Sequence, residues 1–120
     1  MSAVREPRLR LLGMIEAADK ILERKPADRR AVESDEMLQV WCFYQIQVIG
    51  EAAAHVPDEI RAAHPEVRWA ALTGMRNRMV HDYVDIDLDV VWEVVVRDIP
   101  VLREQIAGIL EQIEREDASQ

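Results

Sequence analysis

At 120 residues the chain has the length of one domain, and a chain of this size buries roughly two-thirds of its unfolded surface, enough for a core without disulfides. Hydrophobic residues make up 49% and charged residues 32%, with only four glycines, which excludes a disordered chain and favours an all-α fold. The net charge of −8 argues against tight, nonspecific binding of long nucleic acid, and no apolar run reaches the about 18 residues of a membrane span. No basic-then-apolar leader opens the chain and its one cysteine cannot pair internally, so a cytoplasmic protein without a membrane partner is expected.

Pro7 suits a first helical turn, and Leu11, Ile15, Ala18 and Leu22 follow at helical spacing, which predicts a helix to about Lys25. Pro26 and the polar stretch from Ala27 to Glu33 break it. Ser34 or Asp35 caps a second helix, with Leu38, Trp41, Cys42, Ile46, Ile49 and Ala53 on a broad apolar stripe. Cys42 reads there as a small buried hydrophobe, since no basic neighbour lowers its pKa. Val56-Pro57-Asp58 closes that helix, Pro57 to Ala63 forms a short one, and His64-Pro65 interrupts the chain again.

A third long helix is predicted from about Trp69 to Asp82. Asp85 or Asp87 caps a fourth, whose face is Val90, Val91, Val94, Val95, Ile99, Leu102, Ile106, Ile109, Leu110 and Ile113. Val94-Val95-Val96 has strand propensity, but its flanks keep a helical period and the segment is too long for a strand. Pro100 cannot donate to the carbonyl four residues back and should kink this helix. The expectation is an antiparallel bundle of four to five helices, one domain over residues 1–120, with the acidic residues 114–120 a disordered tail.

The stretch from Arg76 through Asn77, Arg78 and His81 to Tyr83 carries the chemistry. Between Arg61 and His81 the local balance is basic, with Arg61, Arg68, Arg76 and Arg78 against Glu66. Arginine grips phosphate with a planar fork of donors, and histidine moves a proton near neutral pH. On a continuous helix Arg76 and His81 would stand about 140° apart, and Asn77 would share a face with His81. With RNA docked there, the accessible reaction is attack by its own 2′-hydroxyl, His81 acting as base or acid and Arg76 neutralising phosphoryl charge. One histidine is thin for both proton transfers, and two copies meeting in a dimer supply a pair.

Composition alone favours the plainer reading, a surface helix whose arginine pairs with Asp82 or Asp85 and whose histidine sits at the helix end, because the spacing is a weak signal in isolation. Glu51 and His55 have a metal-compatible spacing, but no matching pair elsewhere completes a site, so no metal and no cofactor are expected. His64 reads as a solvated loop residue. Trp41, Trp69 and Trp92 read as core or interface anchors, and Gly50 and Gly74 as points of close helix packing.

The wider neighbourhood is more specific. Ile49-Gly50-Glu51-Ala52-Ala53, Pro65-Glu66-Val67-Arg68-Trp69, Gly74-Met75-Arg76-Asn77, Val80-His81-Asp82-Tyr83, Ile86-Asp87-Leu88-Asp89-Val90-Val91-Trp92 and Asp98-Ile99-Pro100 run in an order that resembles the HepT-like toxins of the HEPN superfamily. The R-x(4)-H-x-Y pattern matches at Arg76, His81 and Tyr83. The resemblance implies an all-helical homodimer with its motifs facing a shared cleft, acting as a metal-independent endoribonuclease on transfer or messenger RNA. It also implies an MntA-like nucleotidyltransferase antitoxin that attaches AMP to Tyr83, and a larger assembly with that partner. Arg76 and His81 are then catalytic, with Asn77 and Arg78 in support. One departure is Tyr44, where members often carry a basic residue. The competing class is a non-catalytic helical adaptor that only binds the nucleotidyltransferase.

Overall fold

The computed structural model describes residues 5–81 and 85–119. Two short helices, α2 (Arg29–Glu33) and α4 (Asp58–Ala63), lie among three long ones, α1 (Arg5–Glu23), α3 (Glu36–Ala54) and α5 (Trp69–Met79). A two-stranded antiparallel ladder, β1 (Val80–His81) with β2 (Asp85–Ile86), pairs Val80 with Ile86 and His81 with Asp85. α6 (Leu88–Glu93), a π-type turn (Val94–Asp98) and α7 (Ile99–Ala118) complete an all-α bundle. It is elongated, measuring 51 × 27 × 24 Å.

α1 packs between α3 and α7, and α5 covers the far side of α3. Leu11, Met14 and Ile21 of α1 meet Ile46 and Ile49 of α3 and Ile99, Ile106 and Ile109 of α7 in a core closed to solvent. On α1 the fully buried stripe is Leu11, Met14, Ala18 and Ile21, while Ile15 and Leu22 sit partly buried at its edge. Arg103 grips Asp19 with two nitrogens (2.9 and 3.5 Å), and Arg8 pairs with Glu114 (3.0 Å), which fixes α7 antiparallel to α1.

Several expectations are corrected. Residues 29–33 are helical, because the Asp28 carboxylate accepts from the Ala31 amide at 2.9 Å and caps α2. Helical register continues through Glu114 to Ala118 where a disordered tail was expected, supported by the Arg8–Glu114 and Arg115–Glu111 pairs. The interruption expected at Pro100 takes the form of a wider turn just before it. The Ile99 amide donates to the Val94 carbonyl five residues back, which relieves the crowding that the proline ring imposes on the preceding turn. Gly50 does mark a close approach, since a Cβ there would lie 2.9 Å from the Leu72 carbonyl oxygen of α5. Gly74 does not: nothing stands within 4 Å of the same position.

Candidate active site

The position of α5 follows from its first turns. Trp69 is buried and its indole N–H donates to the His64 carbonyl at 3.0 Å, while Leu72 and Met75 fall on the same inward face. Against that face α3 presents Gly50, so the two backbones approach without a side chain between them. Arg76, Asn77 and Arg78 occupy the last turn of α5, which ends at Met79.

His81 is not on α5. It lies in β1, paired across the ladder with Asp85, so the expected helix to Asp82 is corrected and the 140° separation no longer applies. Val80 and Ile86 are register partners there, and this backbone pairing replaces the next helical turn. Asp87 then caps α6 by accepting from the Asp89 and Val90 amides at 3.1 and 3.2 Å. Asp82 and Tyr83 lie outside the described residues.

The charges around the motif are partly committed to structure. Arg61 pairs with Asp58 on α4, and Asp89 pairs with Arg29, tying α6 to α2. His64, expected as a solvated residue, is mostly buried; its side chain is 14% exposed and its Nδ1 stands 3.2 Å from Glu66 Oε1. His55 donates through Nδ1–H to the Glu51 backbone oxygen at 2.9 Å, which takes that nitrogen out of metal binding. Among the described residues no three His, Cys, Asp or Glu side chains gather in a metal-holding cluster.

A cleft of about 470 Å³ runs along α5 on the side of the π-type turn and α7, lined by Arg68, Met75, Glu93, Arg97, Asp98 and Gln105. Arg97 is held by Glu93 at 2.7 Å, a contact that raises its pKa further. Arg68 is exposed and makes no ion pair among the described residues, so it is a cation open to solvent beside the motif helix. Cys42 is buried within α3 and desolvation raises its pKa, which keeps it a neutral thiol. Of the three tryptophans only Trp69 belongs wholly to the core; Trp41 is partly buried, with the Arg24 guanidinium 5.0 Å above its ring.

The fold is an all-helical bundle with the Arg–His segment at the end of α5. The profile of the family described as "Ribonuclease HepT-like" matches residues 14–109, and the chain belongs to this family. It is similar to a protein of Caldanaerobacter subterraneus subsp. tengcongensis named as a candidate RNase, with 28% identity over 110 residues, covering 91% of this chain and 98% of the relative. A candidate RNase of Methanocaldococcus jannaschii is 27% identical over 80% of this chain and 89% of its own. A probable ribonuclease HepT of Thermococcus cleftensis is 33% identical over 69 residues, covering 58% of this chain and 63% of its own. No solved structure gives a significant match. No helix among the described residues is long and apolar enough to cross a membrane.

Proposed function

We propose that this chain is the toxin of a two-component module, a metal-independent endoribonuclease that cuts transfer or messenger RNA in the cytoplasm at a cleft shared by two copies. The observation that carries the reading is the complete Arg76, His81 and Tyr83 pattern inside the segment that matches the ribonuclease family. Its arginines lie in the last turn of α5, and its histidine stands two residues beyond Met79, the end of that helix, on a backbone ladder.

The 2′-oxygen of a bound ribose attacks the adjacent phosphorus while the bond from phosphorus to the 5′-oxygen breaks. His81 of one copy takes the 2′-hydroxyl proton, and the same residue in the second copy delivers a proton to the departing 5′-oxygen. Arg76 holds the phosphoryl oxygens as their charge grows, and Asn77 and Arg78 position the strand. The products are a 2′,3′-cyclic phosphate and a 5′-hydroxyl. Neither step needs a metal or another cofactor.

Regulation falls to Tyr83. A partner nucleotidyltransferase of the MntA type transfers AMP from ATP to the tyrosine oxygen with release of pyrophosphate. The new phosphodiester anion then sits two residues from His81, where it competes with the phosphate of RNA and repels it. The experiment is to incubate purified chain with RNA in EDTA and identify the new ends. Cyclic phosphate and 5′-hydroxyl termini are expected, whereas 5′-phosphate termini would exclude this mechanism. Absence of cleavage, with capture of a nucleotidyltransferase, would favour the adaptor class instead.

A further inference from the structure

The net charge of −8 hides a basic corner. Residues 20–30, from the end of α1 to the start of α2, hold five cations, Lys20, Arg24, Lys25, Arg29 and Arg30, against Glu23 and Asp28, and all five are exposed. The acids beside them are committed. Asp28 accepts from the Ala31 amide at 2.9 Å, Asp35 from the Leu38 amide at 3.0 Å, and Glu33 faces Arg29 at 3.0 Å. Asp19 is gripped by Arg103 of α7. Lys20, Arg24, Lys25 and Arg30, by contrast, pair with no carboxylate among the described residues. Cations at this density with spare donors suit a polyanion.

The corner is held in place. Val32 is buried, and the Gln39 side-chain amide donates to the Val32 and Glu33 carbonyls at 2.8 and 3.3 Å, which ties α2 to α3. The Arg24 guanidinium lies 5.0 Å above the Trp41 ring, so stacking fixes the group while its N–H edge stays open. The corner also adjoins the motif. Arg29 pairs with Asp89 of α6, and Asp89 is four residues past Asp85, the register partner of His81. Four residues span at most about 14 Å and a ladder step adds about 5 Å, so the Asp89 backbone stands within about 20 Å of that of His81.

We propose that this corner binds the sugar–phosphate backbone of RNA a few nucleotides away from the phosphodiester held at Arg76 and His81. Lys25 and Arg30 carry the contact, with Lys20 and Arg24 beside them. The choice of RNA as the anion rests on the ribonuclease reading, since a strand docked at the motif has its next phosphates within reach of the corner; the charge of the corner does not rest on it. The contact explains how a chain of this net charge retains a polyanion: attraction is concentrated where the strand passes, while the acids lie elsewhere. Phosphate contacts add affinity and direction without reading bases, so the corner holds strands of any sequence and leaves the choice of cut site to the motif.

The test is fluorescence anisotropy of a labelled single-stranded RNA of about 12 nucleotides, a length within the range such surfaces cover. The full chain carries His81→Ala so that the strand stays whole, and affinity is followed against salt. Adding Lys25→Ala and Arg30→Ala, both at exposed positions, should lower the slope of log affinity against log salt by about 1.4, at about 0.7 per lost phosphate. The same slope makes the loss about 25-fold at 0.1 M salt, shrinking toward 1 M. Lys25→Arg with Arg30→Lys should restore binding, which a merely structural role would not require. Arg10→Ala with Arg115→Ala, the same change in net charge at the opposite end of α1 and the far end of α7, should leave the slope as it was; circular dichroism checks that all variants fold. An unchanged slope in the Lys25→Ala, Arg30→Ala chain, an equal loss in the Arg10→Ala, Arg115→Ala chain, or binding to phosphatidylserine vesicles in place of RNA would overturn the proposal. Binding of the expected kind, with RNA left uncut by the chain that retains His81, would remove the nuclease reading and leave the surface standing. Cleavage by that chain, with RNA affinity indifferent to Lys25 and Arg30, would do the reverse.

Discussion

His81 and Arg76 divide the proposed chemistry by what their protonation permits. Imidazole exchanges a proton near neutrality, whereas guanidinium stays charged and supplies fixed donors. Arg76→Lys therefore keeps the charge and loses the fork, and kcat for RNA cleavage should fall about 10- to 100-fold with the substrate still bound. Tyr83→Phe removes only the acceptor oxygen for AMP: cleavage should persist, and co-expressed nucleotidyltransferase should add no mass to the variant. At Gly50 packing decides, because an added methyl meets the Leu72 backbone oxygen at 2.9 Å. Gly50→Ala should lower stability by about 1–3 kcal/mol in urea unfolding despite alanine's better helix propensity. Gly108→Ala, with nothing within 4 Å of its Cβ position, should raise stability by about 0.5–1 kcal/mol in the same assay.

At the scale of elements, caps and ladders settle what periodicity leaves open. Asp87 satisfies two amides at the start of α6, and Asp87→Ala should lower stability by about 1 kcal/mol and loosen the junction between β2 and α6. The apolar face from Val91 to Ile113 was legible because its 3.6-residue period runs through the π-type turn with little change of side. α2 was not legible, since five residues give no periodic signal and only the Asp28 cap announces it. The end of α5 was missed for a different reason. Val80 and His81 continue a plausible helical pattern, and what stops it is pairing with Asp85 and Ile86, a contact between residues separated along the chain. The Arg76–His81 pair could thus be read as a motif but not as a geometry. The spacing that suggested a shared helix in fact spans a helix end and a strand.

Across the whole molecule, the enclosed core and the solvated surface divide the labour. Cys42 lies inside the core and its thiol is held neutral by burial, so folded chain should resist thiol reagents until denatured. α1, α3, α5 and α7 all contribute to the core, and in the proposed reading the reacting groups sit at the end of α5 and on the ladder after it, at the edge of that frame. His81→Ala should therefore leave the fold untouched and end catalysis. The decisive measurement is RNA cleavage in EDTA by wild-type chain and His81→Ala, matched for helical content by circular dichroism. Cleavage by the wild type and none by the variant is the predicted result. Equal cleavage by both, or cleavage that appears only when divalent metal is restored, would contradict the account.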